Sequence, residues 1–269
     1  MNVAAAAPGT AVLVMRGISK RFGAVQALAG VDLTVRAGEV VALVGDNGAG
    51  KSTLVKVIAG VEPADDGVIE FEGQPVTITS PHDAQARGIA TVYQDLALCD
   101  NLDVVGNLFL GSELRRHGLL DEPAMEKRSW ELLRELSAKI PSVRIPVASL
   151  SGGQRQTVAI SRSLLGDPTL VMLDEPTAAL GVAQTAQVLN LIDRLRERGH
   201  AVLMISHNMA DVFAVADRVS VLRLGRNAGD FVVAETSNEE VVAAITGAAD
   251  NVVTQRQRRT EGRSPGGPR

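Results

Sequence analysis

The sequence predicts an α/β protein with an open sheet and an inserted helical segment, and three observations predict it. A wholly apolar run, Val40–Val44, runs into a glycine-rich loop and then a helix-forming stretch, Leu54–Ala59. Two more apolar runs, Leu170–Leu173 and Val202–Ile205, are separated by a helix-length segment. Between about residues 95 and 150, strand-like runs give way to helical spacing of apolar residues.

In chain order, Val12–Met15 reads as a first strand, and Val31–Val35 alternates as a half-buried one. Ala37-Gly38-Glu39 turns the chain into the strand Val40–Val44. Gly67–Gly73 reads as a strand and turn, with Val76 to Ile78 as its partner. Ser80-Pro81 opens a short helix to about Arg87, the hydroxyl capping and the proline suiting the first helical position. A strand over Ile89–Tyr93 ends in Gln94. Asp103–Leu110 and Glu122–Ile140 carry helical spacing, with Trp130 on the apolar side as packing, and Pro141 and Pro146 close the insertion. A helix follows Leu150-Ser151-Gly152-Gly153-Gln154 to about Leu165. The strand Leu170–Glu175 ends in two acids, and Val182–Arg198 is a helix closed by Gly199. Arg218–Leu224 gives one more strand, and Thr236–Gly247 a last helix capped by Ser237 or Thr236.

Composition bounds the class. The chain has 269 residues, 45% hydrophobic and 22% charged, an ordinary balance for a globular protein. No apolar run approaches the roughly twenty residues that span a bilayer, and the apolar start, with Pro8 and no basic leader, is not read as a signal peptide. The single cysteine, Cys99, rules out an internal disulfide and suits a reducing compartment. Five arginines against Glu261 alone give residues 251–269 a charge of +4, leaving −8 on the body of a chain whose net is −4. An acidic body argues against nucleic acid as partner. The tail, rich in Gly, Pro, Arg and Gln, is expected to be disordered.

The chemistry concentrates in Gly45-Asp46-Asn47-Gly48-Ala49-Gly50-Lys51-Ser52-Thr53, two glycines five apart followed by Lys and Ser. Glycines let the backbone turn tightly with its N–H groups inward, and the following helix adds unpaired N–H groups and a positive dipole end. Such a loop binds a nucleoside triphosphate, with Lys51 on the outer phosphates and the Ser52 hydroxyl suited to Mg²⁺. Ser151–Gln154 makes a second anion-compatible helix start. Asp174 can hold Mg²⁺, directly or through water, and Glu175 can orient or deprotonate a water if it lies opposite the γ-phosphate. His207 follows a strand's carboxyl end, where an open α/β sheet has its ligand crevice. Phe22 offers a ring for an adenine base, with Val25 and Ala27 beside it.

These stretches, in this order and spacing over about residues 12–247, resemble an ATP-binding cassette ATPase. The resemblance implies a phosphate-loop NTPase of RecA-like core with an antiparallel β subdomain and a helical subdomain. It divides the chain into a flexible start (1–11), an ATPase domain (12–250) with its helical insertion near 95–150, and a basic tail (251–269). It also implies two cassettes facing head to tail around two ATP molecules, as a homodimer or with a near twin. Phe22 would stack on adenine, and the loop from Gly45 through Asn47, Gly48, Gly50, Lys51 and Ser52 to Thr53 would cradle the phosphates. Ser52 and Asp174 would serve Mg²⁺, and Gln94 would contact Mg²⁺ or the attacking water and sense closure. Glu175 would be the general base and His207 would hold the γ-phosphate. Ser151, Gly152, Gly153 and Gln154 would close on the partner's nucleotide.

One departure stands out. The family often has an aspartate where Gly181 follows Asp174-Glu175-Pro176-Thr177-Ala178-Ala179-Leu180, in the loop that speaks across the dimer. Val92–Leu98, Asp174–Gly181 and Ile205–Met209 are similar to the ATPases of bacterial simple-sugar importers of ribose, xylose or fructose type. That likeness implies ATP hydrolysis energising a separate transmembrane permease, which receives sugar from a periplasmic or extracellular binding protein. It places the chain in the cytoplasm, peripheral on the inner face of the membrane, with Asp95–Gly111 receiving the permease. A soluble cassette acting on ribosomes or DNA, and a nucleotide-binding regulator without turnover, are the competing readings.

Overall fold

The computed structural model describes residues 9–248, so the expected disordered tail, and all but the last three residues of the expected flexible start, lie outside it. Those three are tied down, because the Gly9 N–H donates to the Ala37 carbonyl and Ala37 N–H to that of Thr10.

The chain opens with a long hairpin, β1 (Ala11–Phe22) and β2 (Val25–Arg36), and then enters β3 (Val40–Val44) and α1 (Lys51–Ile58). β4 (Asp66–Phe71) pairs with β5 (Gln74–Val76), so the partner strand lies two residues earlier than the expected Val76–Ile78. Glu72, with φ 51°, and Gly73, with φ 75°, make the turn tight enough for Phe71 to face Gln74 directly. α2 (Pro81–Ala86) starts as expected, with Ser80 Oγ accepting the Asp83 N–H at 3.1 Å, and leads to β6 (Ile89–Val92).

The inserted segment holds α3 (Val104–Phe109), a small hairpin β7 (Arg115–Arg116) and β8 (Leu119–Leu120), and α4 (Glu122–Glu135). The hairpin stands where only helices were expected; its two-residue turn, His117 at φ 51° and Gly118 at φ 85°, has the left-handed pair that tight hairpins require. α4 ends five residues short of the expected Ile140. Ser137 takes φ 51°, its N–H bonds the Arg134 carbonyl, and Ala138 N–H bonds that of Leu133, a helix stop made without glycine. Val104, Leu108, Met125, Leu133 and Val147 form this segment's own core, with Trp130 packed against it.

α5 (Gly152–Ser163), β9 (Leu170–Asp174), α6 (Val182–Glu197) and β10 (Ala201–Ile205) follow the expected order. Besides the β7–β8 hairpin, two further elements were not foreseen: α7 (Met209–Val215), capped by Asn208, and β12 (Arg226–Val232), which turns back on β11 (Arg218–Arg223) through Leu224-Gly225. α8 (Asn238–Thr246) is capped by Ser237, whose N–H is in turn bound by Glu240.

Two principal sheets result. β2-β1-β4-β5 is antiparallel throughout, and the central sheet runs β12-β11-β3-β10-β9-β6, parallel except for β12. The apolar runs are continuous because both faces of the central sheet are covered. Val41, Leu43, Met172 and Leu203 enter the core shared with α1 and the antiparallel sheet. Val40, Ala42, Val44, Val171, Leu173, Val202 and Met204 enter the opposite core, with α6 and α7 residues such as Leu191 and Val212. Each fully buried Val or Leu contributes about 1.5–3 kcal/mol, so sliding one strand by a residue would exchange both packed faces at once.

Candidate functional site

Parallel register brings the sequence motifs to one edge. Leu43 lies beside Ile205, Ile205 beside Asp174, and Leu173 beside Val92. One residue further along the four strands come Val44, Ser206, Glu175 and Gln94. Gly45, His207, Glu175 and Gln94 therefore leave the sheet at the carboxyl ends of four adjoining strands, β3, β10, β9 and the edge strand β6, where open α/β sheets bind ligands.

The loop after β3 is moulded by its neighbours. Gly45 has φ 151°, and a Cβ there would lie 2.2 Å from the Leu222 carbonyl oxygen of β11. Gly50 has φ 105°, with Ala27 O 2.8 Å from the place a Cβ would take. Gly225 N–H donates to the Ala49 carbonyl, and its own carbonyl accepts from Ala29. Leu222, Gly225 and Ala27 thus shape the loop from beneath, a role the sequence did not reveal because it comes from two distant segments, β2 and the β11–β12 hairpin. Asp46, Asn47 and Gly48 are exposed on the outer side, and Ser52 is exposed in the first turn of α1. Lys51 Nζ donates to Gly45 O at 2.6 Å and Asp46 O at 3.0 Å, so the ammonium lies along the loop itself. Thr53, half-buried, continues the helix.

Asp174 feels the charge of this cation. Burial and the charge of Glu175 raise the Asp174 pKa, and the charge of Lys51 partly opposes the rise. Burial and the Asp174 charge likewise raise that of Tyr93. An aspartate whose folded pKa exceeds its unfolded value is least costly when protonated, so stability falls as pH rises from the ordinary aspartate range to the raised value and is level above it. Asp174→Asn removes that cost. The expected result is a higher melting temperature at neutral pH, by roughly 2–4 °C per kcal/mol relieved, with the gain vanishing as pH is lowered toward the ordinary aspartate range. Circular dichroism melts across pH check it; a melting temperature lowered at neutral pH would contradict it.

Glu175 sits at φ 50°, outside the comfortable region for a side-chain-bearing residue, at a cost of order 1–3 kcal/mol. Its N–H is held by the Ile205 carbonyl at 2.9 Å, and its Oε2 lies 2.8 Å from His207 Nδ1. The Glu175 side chain is 16% exposed and that of His207 is 74% exposed, so the pair opens to solvent on the histidine side. Gln94 is exposed just beyond β6. Phe22 pairs across the hairpin with Val25, both exposed, and Lys20 Nζ lies 5.5 Å from the ring centre, anchored by Asp65.

The Ser151 corner stands apart. Ser151 Oγ accepts from Gln154 N–H while Gln154 Oε1 accepts from Ser151 N–H, a closed cap on α5. A Cβ on Gly152 or Gly153 would press on Leu180 or Gln184 at the start of α6, so these glycines permit the close approach of two helices. No hydrogen bond or ion pair among the described residues joins this corner to 45–53. At Gly181 the φ is −75° and nothing lies within 4 Å of an added Cβ, so packing does not exclude an aspartate there.

Beside the row, a cavity of about 800 Å³ separates β6 from α3 and α5, lined by Tyr93, Asp95, Leu96, Leu108, Leu110 and Arg162 among others. Gln94 lies between two of its lining residues. Arg162 donates to the carbonyls of Leu96 and Ala97, each at 2.9 Å, and fastens this loop to α5.

Oxygen donors from one hydroxyl, one carboxylate and one amide (Ser52, Asp174, Gln94) suit a hard divalent cation. Among the described residues no cluster of three His, Cys, Asp or Glu exists.

Comparison with known proteins agrees with this geometry. Residues 28–178 match the family model described as ABC transporter. The chain is 44% identical to the xylose/arabinose import ATP-binding protein XylG of Sulfolobus acidocaldarius, over 88% of this chain and 95% of that protein. It is also 44% identical to the fructose import ATP-binding protein FrcA of Rhizobium meliloti, over 89% and 95%. Against the ribose import ATP-binding protein RbsA of Yersinia pestis identity is again 44%, but only 46% of that longer protein is covered. Among solved structures, the ADP conformation of MJ1267, an ATP-binding cassette of an ABC transporter, superposes with TM-score 0.76 at 28% identity, over 88% of this chain and 95% of that one. The cbiO1 subunit of a Clostridium perfringens ABC transporter gives 0.75 at 26%, over 87% and 93%.

Proposed function

Since this chain belongs to the ABC transporter family of ATP-binding cassettes, we propose that it is the ATP-hydrolysing subunit of an importer, energising monosaccharide uptake through a separate transmembrane permease. The observation that carries the reading is the row of Gly45, His207, Glu175 and Gln94 at the carboxyl ends of adjoining strands. Similarity to xylose/arabinose, fructose and ribose import proteins supports the sugar class.

The loop N–H groups from Gly45 to Thr53, with Asn47 and Gly48 on the outer side, cradle the phosphates, and Lys51 turns from the loop carbonyls to the outer phosphate oxygens. Phe22 takes the adenine ring. Ser52 and Asp174, with Gln94, hold Mg²⁺, which when bound neutralises charge on the phosphates. Glu175 accepts the proton of the attacking water, and His207, reaching out from Glu175, orients the γ-phosphate. The chain's work is mostly placement and charge stabilisation of phosphoryl transfer to water. The corner of Ser151, Gly152, Gly153 and Gln154 makes no polar bond to its own phosphate loop, which suits a second cassette, identical or a near twin, closing head to tail on the nucleotide.

The cavity beside Gln94 is where the permease docks, so occupation of the groove reaches the nucleotide through one residue. No described helix is long and apolar enough to cross a membrane, in keeping with a peripheral subunit on the inner face that meets the sugar-binding protein only through the permease. Purification of the tagged chain from its own cells in mild detergent tests the reading. A polytopic membrane protein should accompany it, and in proteoliposomes hydrolysis should rise when that protein and a monosaccharide-loaded binding protein are present. Recovery with ribosomes or DNA instead, or binding of ATP without turnover in the permease complex, would overturn it.

A further inference from the structure

Beyond the nucleotide-facing groups, the two loops that carry Glu175 and His207 are joined by a second, buried bond. Thr177 Oγ1 donates to Asp211 Oδ2 at 2.6 Å, with Thr177 9% and Asp211 6% exposed. Thr177 lies two residues after Glu175, in the turn that follows β9. Asp211 lies four residues after His207, in the first turn of α7. With the 2.8 Å contact between Glu175 and His207, the Thr177–Asp211 bond closes a ring through both loops. The Ile205 carbonyl, which accepts the Glu175 N–H, lies on the same strand end that leads to His207.

We propose that Thr177 and Asp211 are a positioning pair, holding the carboxylate of Glu175 and the ring of His207 in register for water attack. The inference rests on the reading of Glu175 as the general base. Its physical ground is the left-handed backbone at Glu175, φ 50°, which a side-chain-bearing residue keeps only while its surroundings hold it. Backbone bonds hold this turn, Glu175 N–H to Ile205 O, Ala178 N–H to Glu175 O at 3.1 Å and Leu180 N–H to Thr177 O at 3.3 Å, and the threonine hydroxyl adds its bond to Asp211. This last is made by a side chain, and a hydroxyl donating to a buried carboxylate is among the stronger neutral-to-charged bonds. Without it the aspartate stays buried with its donor gone, and the turn can relax away from His207. Neither residue contacts 45–53 through any hydrogen bond or ion pair among the described residues, so ATP binding should be spared.

The test compares Thr177→Val, Thr177→Ser, Asp211→Asn and Glu175→Gln in the purified full chain, reading kcat and KM for ATP and the melting curve. Thr177→Val keeps the shape and deletes the hydroxyl. Its kcat should fall by about 10²-fold, the size of loss expected when a reacting group is misplaced by an ångström, with KM for ATP unchanged. Thr177→Ser, which restores the hydroxyl, should recover most of the rate. Asp211→Asn keeps an acceptor without the charge and should fall between them; as a near-isosteric change it also serves as the reading if the valine variant does not fold. Wild-type kcat in the valine and asparagine variants, or a serine variant as slow as valine, would overturn the positioning role. If Glu175→Gln kept its turnover, the base assignment itself would fail, a result separable from the failure of the pair.

Discussion

Glu175→Gln is expected to leave ATP binding intact while steady-state hydrolysis falls by ~10³-fold, within the range typical of losing a positioned proton acceptor. The substitution is nearly isosteric, so the turn with its φ of 50° and the bond from Glu175 N–H to Ile205 O have no steric reason to change. What disappears is the carboxylate charge 2.8 Å from His207 Nδ1. An amide can still meet the imidazole by hydrogen bonding, but it cannot take the proton of an attacking water. Phosphate release under multiple turnover, measured beside a fluorescent-nucleotide titration, separates the two properties. Hydrolysis near the wild-type rate would mean that another group, His207 first, is the base.

Gly45→Ala is expected to be the most damaging single-atom change in the nucleotide loop. The Cβ would lie 2.2 Å from a backbone carbonyl oxygen of β11, in a conformation of φ 151° that side-chain-bearing residues avoid. Neither the central strand nor the loop can yield without parting from the other. We expect a loss of about 3 kcal/mol or more, from overpacking added to backbone strain, with nucleotide binding abolished. Gly48→Ala is the control. Its φ of 78° carries strain, but nothing lies within 4 Å of the new Cβ, so the protein should remain folded with only a modest drop in melting temperature. Equal stability of the two variants in a denaturant titration would contradict the role assigned to Leu222.

The contrast between those glycines shows where sequence reading succeeds and where it stops. Both were legible as members of a phosphate loop from their spacing to Lys51 and Ser52. Which of them is jammed against β11 and which faces outward was not, because Leu222 is far away along the chain and is brought there by β3–β11 pairing. The same holds for helix ends. Gly199 announced the end of α6, whereas Ser137 ended α4 in a left-handed conformation that its type does not advertise. Short elements were missed for a related reason: α7 and the β7–β8 hairpin are too brief for periodicity to rise above their neighbours.

Taken alone, the chain's residues determined the order of the longer strands and helices up to β11, the phosphate loop and the two acids at the end of β9 and just past it. They could do so because each is encoded in a few consecutive positions, through apolar runs, glycine spacing and capping residues. The tertiary structure decided which of these features meet: the levelling of Gly45, Glu175, His207 and Gln94 on one edge, the Glu175–His207 contact, and the buried Thr177–Asp211 bond beneath it. Those are distances between segments, fixed by the register of parallel strands and by side chains packing on both sheet faces, and no local pattern carries them.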